Sequence, residues 1–267
     1  MYTPRQLQAQ LKKMNIPRDG TLLVHSSFRS MGEIKGGAEA VIDALCDYMA
    51  DGLLAMPTHS WATVNAGNPV YDPASTPSCT GILGQLLLRR QGAIRTLHPT
   101  HSLAVWGREA ADFAQGEHLM TTPCGRAGCM GKLLDRKATV LFVGCDLSKN
   151  TFLHGVEEWC GIENRLGDEY ACMLTMHDGT MSIGSMQPHR APVPDVSVNY
   201  RKMTEPFLRL GAAREGQLGD ARCYVCDCAR MARITTELLI VQPDLFLDDL
   251  PVDPGLLADV ARGYYIP

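Results

Sequence analysis

No stretch of the 267-residue chain reaches 18 apolar residues without a charge, so nothing in it reads as a membrane span. The N-terminus, "MYTPRQLQAQLKKMNIPRDG", is polar and reads as an amphipathic helix. It lacks the apolar centre of a secretory leader. A basic surplus is also absent. The net charge of −4 and a pI near 6.1 exclude the electrostatic footprint of a nucleic-acid binder. Neither a Walker loop nor a G-x-G-x-x-G turn occurs, and there is no internal repeat or low-complexity linker. The ten cysteines do not make a disulfide scaffold, because such chains are short and loop-rich. Cys46, Cys145 and Cys172 sit inside apolar runs, where thiols behave as small hydrophobes. The expectation is a cytoplasmic protein with reduced thiols, no membrane contact and no nucleic-acid partner.

What is present is core-forming sequence. Apolar residues make up 45% of the chain, too many for disorder and enough for a large interior. The length suits one domain over residues 1–267. Strand-length apolar runs recur at 21–27, 52–58, 101–107, 138–144 and 221–227. Helical patterns follow several of them, at 36–51, 80–92, 151–161 and 228–240. Residues 169–186 read as a hairpin turning at Asp178-Gly179. The alternation predicts an α/β fold, with a mixed sheet covered by helices on both faces and one antiparallel hairpin insertion. The segment 187–200, "QPHRAPVPDVSVNY", holds three prolines and reads as a surface loop beside a site.

Several stretches could carry chemistry. "VHSSFRSMG" (24–32) leaves a strand rich in hydroxyls; such a turn holds phosphate or amide groups, or simply caps a strand. "RTLHPTHS" places His98 and His101 three apart, which suits metal only if further ligands come from elsewhere. "CGRAGC" and "CYVCDC" lack the second ligand pair that a closed zinc site needs. Nothing specific marks Cys124 as a nucleophile. "NTFLHGVEEW" (150–159) puts His154, Glu157 and Glu158 on one helical turn. That set suits a general base with an orienting acid, half a metal site, or an ordinary helix start enriched in Glu.

"LLVHSSFRSMG", "GGAEAVIDAL", "GLLAMPT", "DPASTP", a helix ending in "RR", "HPTHSLAVWG" and "NTFLHGVEE" follow one another at natural spacings. In that combination the chain resembles the aminoglycoside 3-N-acetyltransferase family, from about residue 5 to residue 240. The resemblance implies a three-layer α/β/α sandwich and acetyl-CoA as co-substrate, with a small-molecule amine as the acceptor. It implies that Ser26, Ser27, Arg29, Ser30, Met31 and Gly32 line the cofactor site, together with His98 and Ser102. It further implies that His154 is the general base, that Glu157 lies near the amine, and that Asp72 belongs to a substrate-side loop.

One stretch departs from the family pattern. Gln187 and His189 stand where an acidic pair is expected, so a polycation is attracted less, and His189 becomes a second proton carrier or a substrate contact. The alternatives are a metal-dependent hydrolase built on His98, His101, His154 and His189, and a CoA-binding protein without the activity. The sequence leaves the acceptor amine and the oligomeric state open, with a homodimer as the candidate assembly.

Overall fold

A computed structural model describes residues 1–263. In chain order the strands are β1 (Thr21–Ser26), β2 (Leu53–Pro57), β3 (Val70–Tyr71), β4 (Ile94–Arg95), β5 (Leu103–Gly107), β6 (Thr139–Val143), β7 (Tyr170–Thr175), β8 (Met181–Met186), β9 (Ala213–Leu218) and β10 (Ala221–Asp227). The helices are α1 (Pro4–Lys13), α2 (Gly37–Tyr48), α3 (Ile82–Leu87), α4 (Ala110–Ala114), α5 (Cys129–Asp135), α6 (Thr151–Trp159), α7 (Thr204–Arg209), α8 (Cys228–Val241) and α9 (Pro254–Arg262). Among the described residues no helix is long and apolar enough to cross a membrane.

Seven strands form one sheet in the order β4-β5-β2-β1-β6-β10-β9. The central β1 runs parallel to β2 and β6, and the flanking pairs are antiparallel. The sheet is therefore mixed, as expected. Its two faces follow from side-chain alternation along each strand. Leu22 and Val24 of β1, Leu54 and Met56 of β2, and Leu141 and Val143 of β6 join one buried cluster, with α1, α2 and α3 over them. Leu23, Leu53, Ala55, Val140 and Phe142 point the other way, into a second cluster with α4 to α6, α8 and α9. These inner strands are buried on both faces, which explains why they read as continuous apolar runs rather than alternating ones.

A smaller sheet has the order β3-β7-β8. It is the hairpin insertion, extended by β3 pairing in parallel with β7. Tyr71, Cys172, Leu174 and Met186 bury its inner face with Val64 and Leu97.

The carboxyl ends of the parallel strands meet in the same region of the molecule. There Gly144 follows β6 with φ of 62°, and a Cβ on it would lie 1.6 Å from Ser30 Oγ. Only glycine fits that close approach. It lets β6 leave the sheet beside the β1 exit, where Ser27 donates its amide to Val143 O at 2.8 Å.

Candidate active site

A cavity of about 1030 Å³ opens at these strand ends, the usual place for a ligand in an open α/β sheet. β1 supplies His25 and Ser26 to its wall, with Ser27 beyond, and His59 follows β2. Thr100 and His101 come from the turn before β5. Lys149, Thr151 and His154 arrive on the segment after β6 and the first turn of α6. Asp168, Tyr170 and residues 188–191 around the small sheet complete the lining, with Asp195 and Val196.

His154 is the best-prepared base in this cavity. Its Nδ1 lies 2.6 Å from the Tyr200 hydroxyl, which in turn bonds Glu157. Arg165 donates to the other oxygen of Glu157 at 2.6 Å. Burial raises the pKa of Glu157, and Tyr200 and Arg165 act against that rise. With a guanidinium in contact the group is a carboxylate, which accepts only. The Tyr200 proton therefore goes to Glu157, and the phenol oxygen accepts from Nδ1–H of His154. Nε2 is left with its lone pair, finds no hydrogen-bond partner among the described residues, and sits on a ring that lines the cavity. Burial, the neighbouring His189 and Arg165 all push the His154 pKa well below its ordinary value, so the imidazole is neutral.

Glu157 and Glu158 are adjacent in sequence and serve different partners. Glu158 accepts from His189 Nε2 at 2.7 Å and from the Cys124 amide at 3.0 Å. His189 lies flat on His154, with ring centroids 4.1 Å apart. Its pKa is lowered to about 3 by burial first, and then by His98. A neutral His189 donates Nε2–H to Glu158. From there the rings continue edge-on to His101 at 5.0 Å, and from His101 to His59 at 4.7 Å. The Nε2 atoms of His59 and His25 are buried without a partner among the described residues, and both rings line the cavity. A bound molecule that carries amide or carbonyl groups would satisfy them.

The family model described as aminoglycoside 3-N-acetyltransferase matches residues 23–240, which is most of the chain. The chain belongs to the aminoglycoside 3-N-acetyltransferase family. It is 25% identical over 251 residues to aminoglycoside N(3)-acetyltransferase III of Salmonella sp, covering 85% of this chain and 87% of that one. It is 30% identical over 177 residues to the SPbeta prophage-derived aminoglycoside N(3')-acetyltransferase-like protein YokD of Bacillus subtilis (strain 168), covering 58% and 64%. Among solved structures, apoenzyme AAC(3)-IVa superposes with a TM-score of 0.79 at 23% identity, over 98% of this chain and 97% of the other. AAC-IIIb, in binary complex with CoASH, also gives 0.79, at 21% identity over 90% and 97%.

Against the family expectation, the structure brings Ser26, Ser27, His154 and His189 to one cavity, with Glu157 behind His154. Other residues implied by the acetyltransferase resemblance do not line it. Met31 is a core residue, fully buried under α1 and α2. Gly32 has φ of 73°, and a Cβ there would strike the Asp220 carboxylate at 1.9 Å, so it packs against the β9–β10 turn. Ser30 turns back, donating its hydroxyl to Ser27 O at 2.7 Å, and Arg29 is exposed beside it.

His98 and Ser102 lie beneath the wall. The His98 ring accepts the amides of Thr100 and His101 and donates to Thr122 O at 3.0 Å, so its polar atoms are occupied. Ser102 donates to Thr58 O and receives Arg95. Both residues shape the turn that presents Thr100 and His101. Asp72 closes its own turn, accepting from the Ala74 amide and the Ser75 hydroxyl. Gln187 donates to Gly167 O at 3.3 Å, tying the segment before β7 to the one after β8.

The four histidines named for a hydrolase are arranged as a ladder of ring contacts and not around a point. Tyr200, Arg165 and Lys149 were invisible to motif reading. No local signal marks Tyr200, because its role exists only where the 3-10 helix Val196–Met203 packs beside α6.

Proposed function

We propose that the protein transfers acetyl from acetyl-CoA to an amine by direct attack, with His154 as general base. The observation that carries this reading is the Glu157–Tyr200–His154 relay, which leaves an unprotonated Nε2 facing a large cavity. An amine must be neutral to attack a thioester, and a neutral imidazole at that point can take its proton. The charge that then forms on His154 is passed no further. It is stabilised through Tyr200 by Glu157, which remains ionised beside Arg165. Bound acetyl-CoA supplies the activated acyl group. Ser26 and Ser27, with the unpartnered His25 and His59, are the groups available to hold it. Binding both substrates in one cavity adds the proximity term, and no covalent enzyme intermediate is needed.

The acceptor side holds Asp168 and Asp195 against Lys149 and Arg190. Glu157 and Glu158 are already engaged by Arg165 and His189. This balance favours an acceptor of low charge over a polycation. The test is thiol release from acetyl-CoA across a panel of amines, aminoglycosides included. With an accepted amine, His154→Ala and His154→Gln should each lower kcat by about 10² to 10⁴ while CoA still binds. Rates within a few-fold of the parent in both variants would remove His154 from the role.

A further inference from the structure

Behind His189, away from the relay, three groups of different chemistry converge. Cys124 Sγ, a Glu158 carboxylate oxygen and a ring nitrogen of His189 lie within 4.8 Å of one another. They come from three separate segments: the loop before α5, the body of α6 and the turn after β8. Cys124 is 1% exposed, and the Glu158 side chain 6%. This thiol, carboxylate and imidazole belong to no step of acetyl transfer derived above.

We propose that Cys124, Glu158 and His189 form a three-ligand site for a thiophilic divalent cation of the zinc class, with its fourth position toward the cavity. A thiolate–imidazole–carboxylate set is borderline-soft and selects zinc over magnesium or calcium. Tetrahedral zinc, at ~2.3 Å from sulfur and ~2.0 Å from nitrogen or oxygen, sets its ligand atoms roughly 3.3 to 3.5 Å apart. The His189–Glu158 hydrogen bond of 2.7 Å must therefore open, and the sulfur must draw in toward the other two ligand atoms, which lie within 4.8 Å of it.

The supporting contacts are already in place. The Cys124 amide fixes Glu158, and the Trp159 indole donates to Cys124 O at 2.8 Å. His189 lines the cavity, so it gives the ion a way in. The proton balance is defined. Cys124, now a thiol donating to Thr151 O at 3.5 Å, loses its proton to solvent. The Nε2 proton of His189 moves to Nδ1, which frees Nε2 to ligate.

The test uses the full-length protein with zinc or cobalt(II) and neither acetyl-CoA nor amine, so its outcome is separate from that of the transfer assay. Equilibrium dialysis should give one zinc per chain, with one proton released on uptake and a rise in Tm. The cobalt(II) adduct should show a thiolate-to-metal charge-transfer band in the near ultraviolet. Cys124→Ser should abolish the band. Glu158→Gln and His189→Asn should each weaken binding by at least about tenfold. Cys129→Ser, at a buried cysteine outside the cluster, should leave binding unchanged. Zinc far below one per chain, a cobalt spectrum without the sulfur band, or full affinity in Cys124→Ser would each overturn the site. Because the band is read in the unaltered protein, the test survives a variant that fails to fold.

Discussion

Replacing Tyr200 by Phe tests the relay at its centre. The side chain is fully buried, and its hydroxyl makes two bonds, to His154 Nδ1 at 2.6 Å and to Glu157. The ring stays packed edge-on against Phe246, with centroids 4.7 Å apart, so the change removes one oxygen and little packing. Without it, Glu157 keeps Arg165 but one of its oxygens loses its donor. His154 loses the acceptor that holds its proton on Nδ1. A hydrogen bond to a charged group contributes about 1.5 to 3 kcal/mol. If that bond matters equally as charge develops on His154, kcat should fall by roughly 10- to 150-fold.

The loss should be smaller than that of His154→Ala, with KM for acetyl-CoA unchanged. Steady-state kinetics measures it, and ¹⁵N shifts of the His154 ring report the tautomer directly. In the parent, Nδ1 should carry the proton; in Tyr200→Phe the two tautomers should mix. A variant that lost thermal stability yet kept kcat within twofold, with the tautomer unchanged, would show Tyr200 to be packing alone.

Other outcomes follow from the same geometry. Ser27→Trp, at the β1 exit, should block CoA binding by calorimetry without unfolding the protein; unchanged affinity would move the cofactor elsewhere. Incubation with acetyl-CoA alone should leave no acetyl adduct by mass spectrometry, because the most plausible cysteine, Cys124, is held as a thiol by burial and by Glu158 and Glu117. A stoichiometric adduct on Cys124 would replace direct transfer by a covalent route. His25 has its pKa lowered from 6.5 to about 3 by burial. The unfolded chain binds a proton below pH 6.5 where the folded chain does not, so stability present above 6.5 is lost as pH falls toward 3. Between pH 6.5 and 5 this one histidine should cost about one and a half kcal/mol. Urea unfolding of His25→Leu should show a shallower acid slope by that amount, and identical slopes would refute the assignment.

The inner strands and the longer helices were legible because burial on both faces writes long apolar runs. β9 was not. As an edge strand it exposes Arg214, Glu215 and Gln217, and its sequence reads as polar loop. The pattern at 80–92 predicts a longer helix than α3, which ends at Leu87; residues 88–92 continue as turns. His154 and the serine turn could be found by spacing and resemblance. Partners across distance could not. Glu158 meets His189 from 31 residues away, and Tyr200 reaches His154 from 46. The prolines of 187–200 do mark a loop over the cavity, but it runs into a 3-10 helix from Val196, and the tyrosine sits there.

The strand order also has a consequence for synthesis on the ribosome. β6 is flanked by β1, made long before it, and by β10, made roughly 80 residues later. At about 5 to 20 residues per second, β6 waits roughly 4 to 16 seconds for its second neighbour. Throughout that interval the nascent chain presents Val140, Leu141 and Phe142 along an open sheet edge, the kind of template on which other chains pair. Any chain ended before β10, whether by stalling, nonsense mutation or proteolysis, would keep that edge permanently. It should be found in inclusion bodies or bound to chaperones even if its cavity residues are all present.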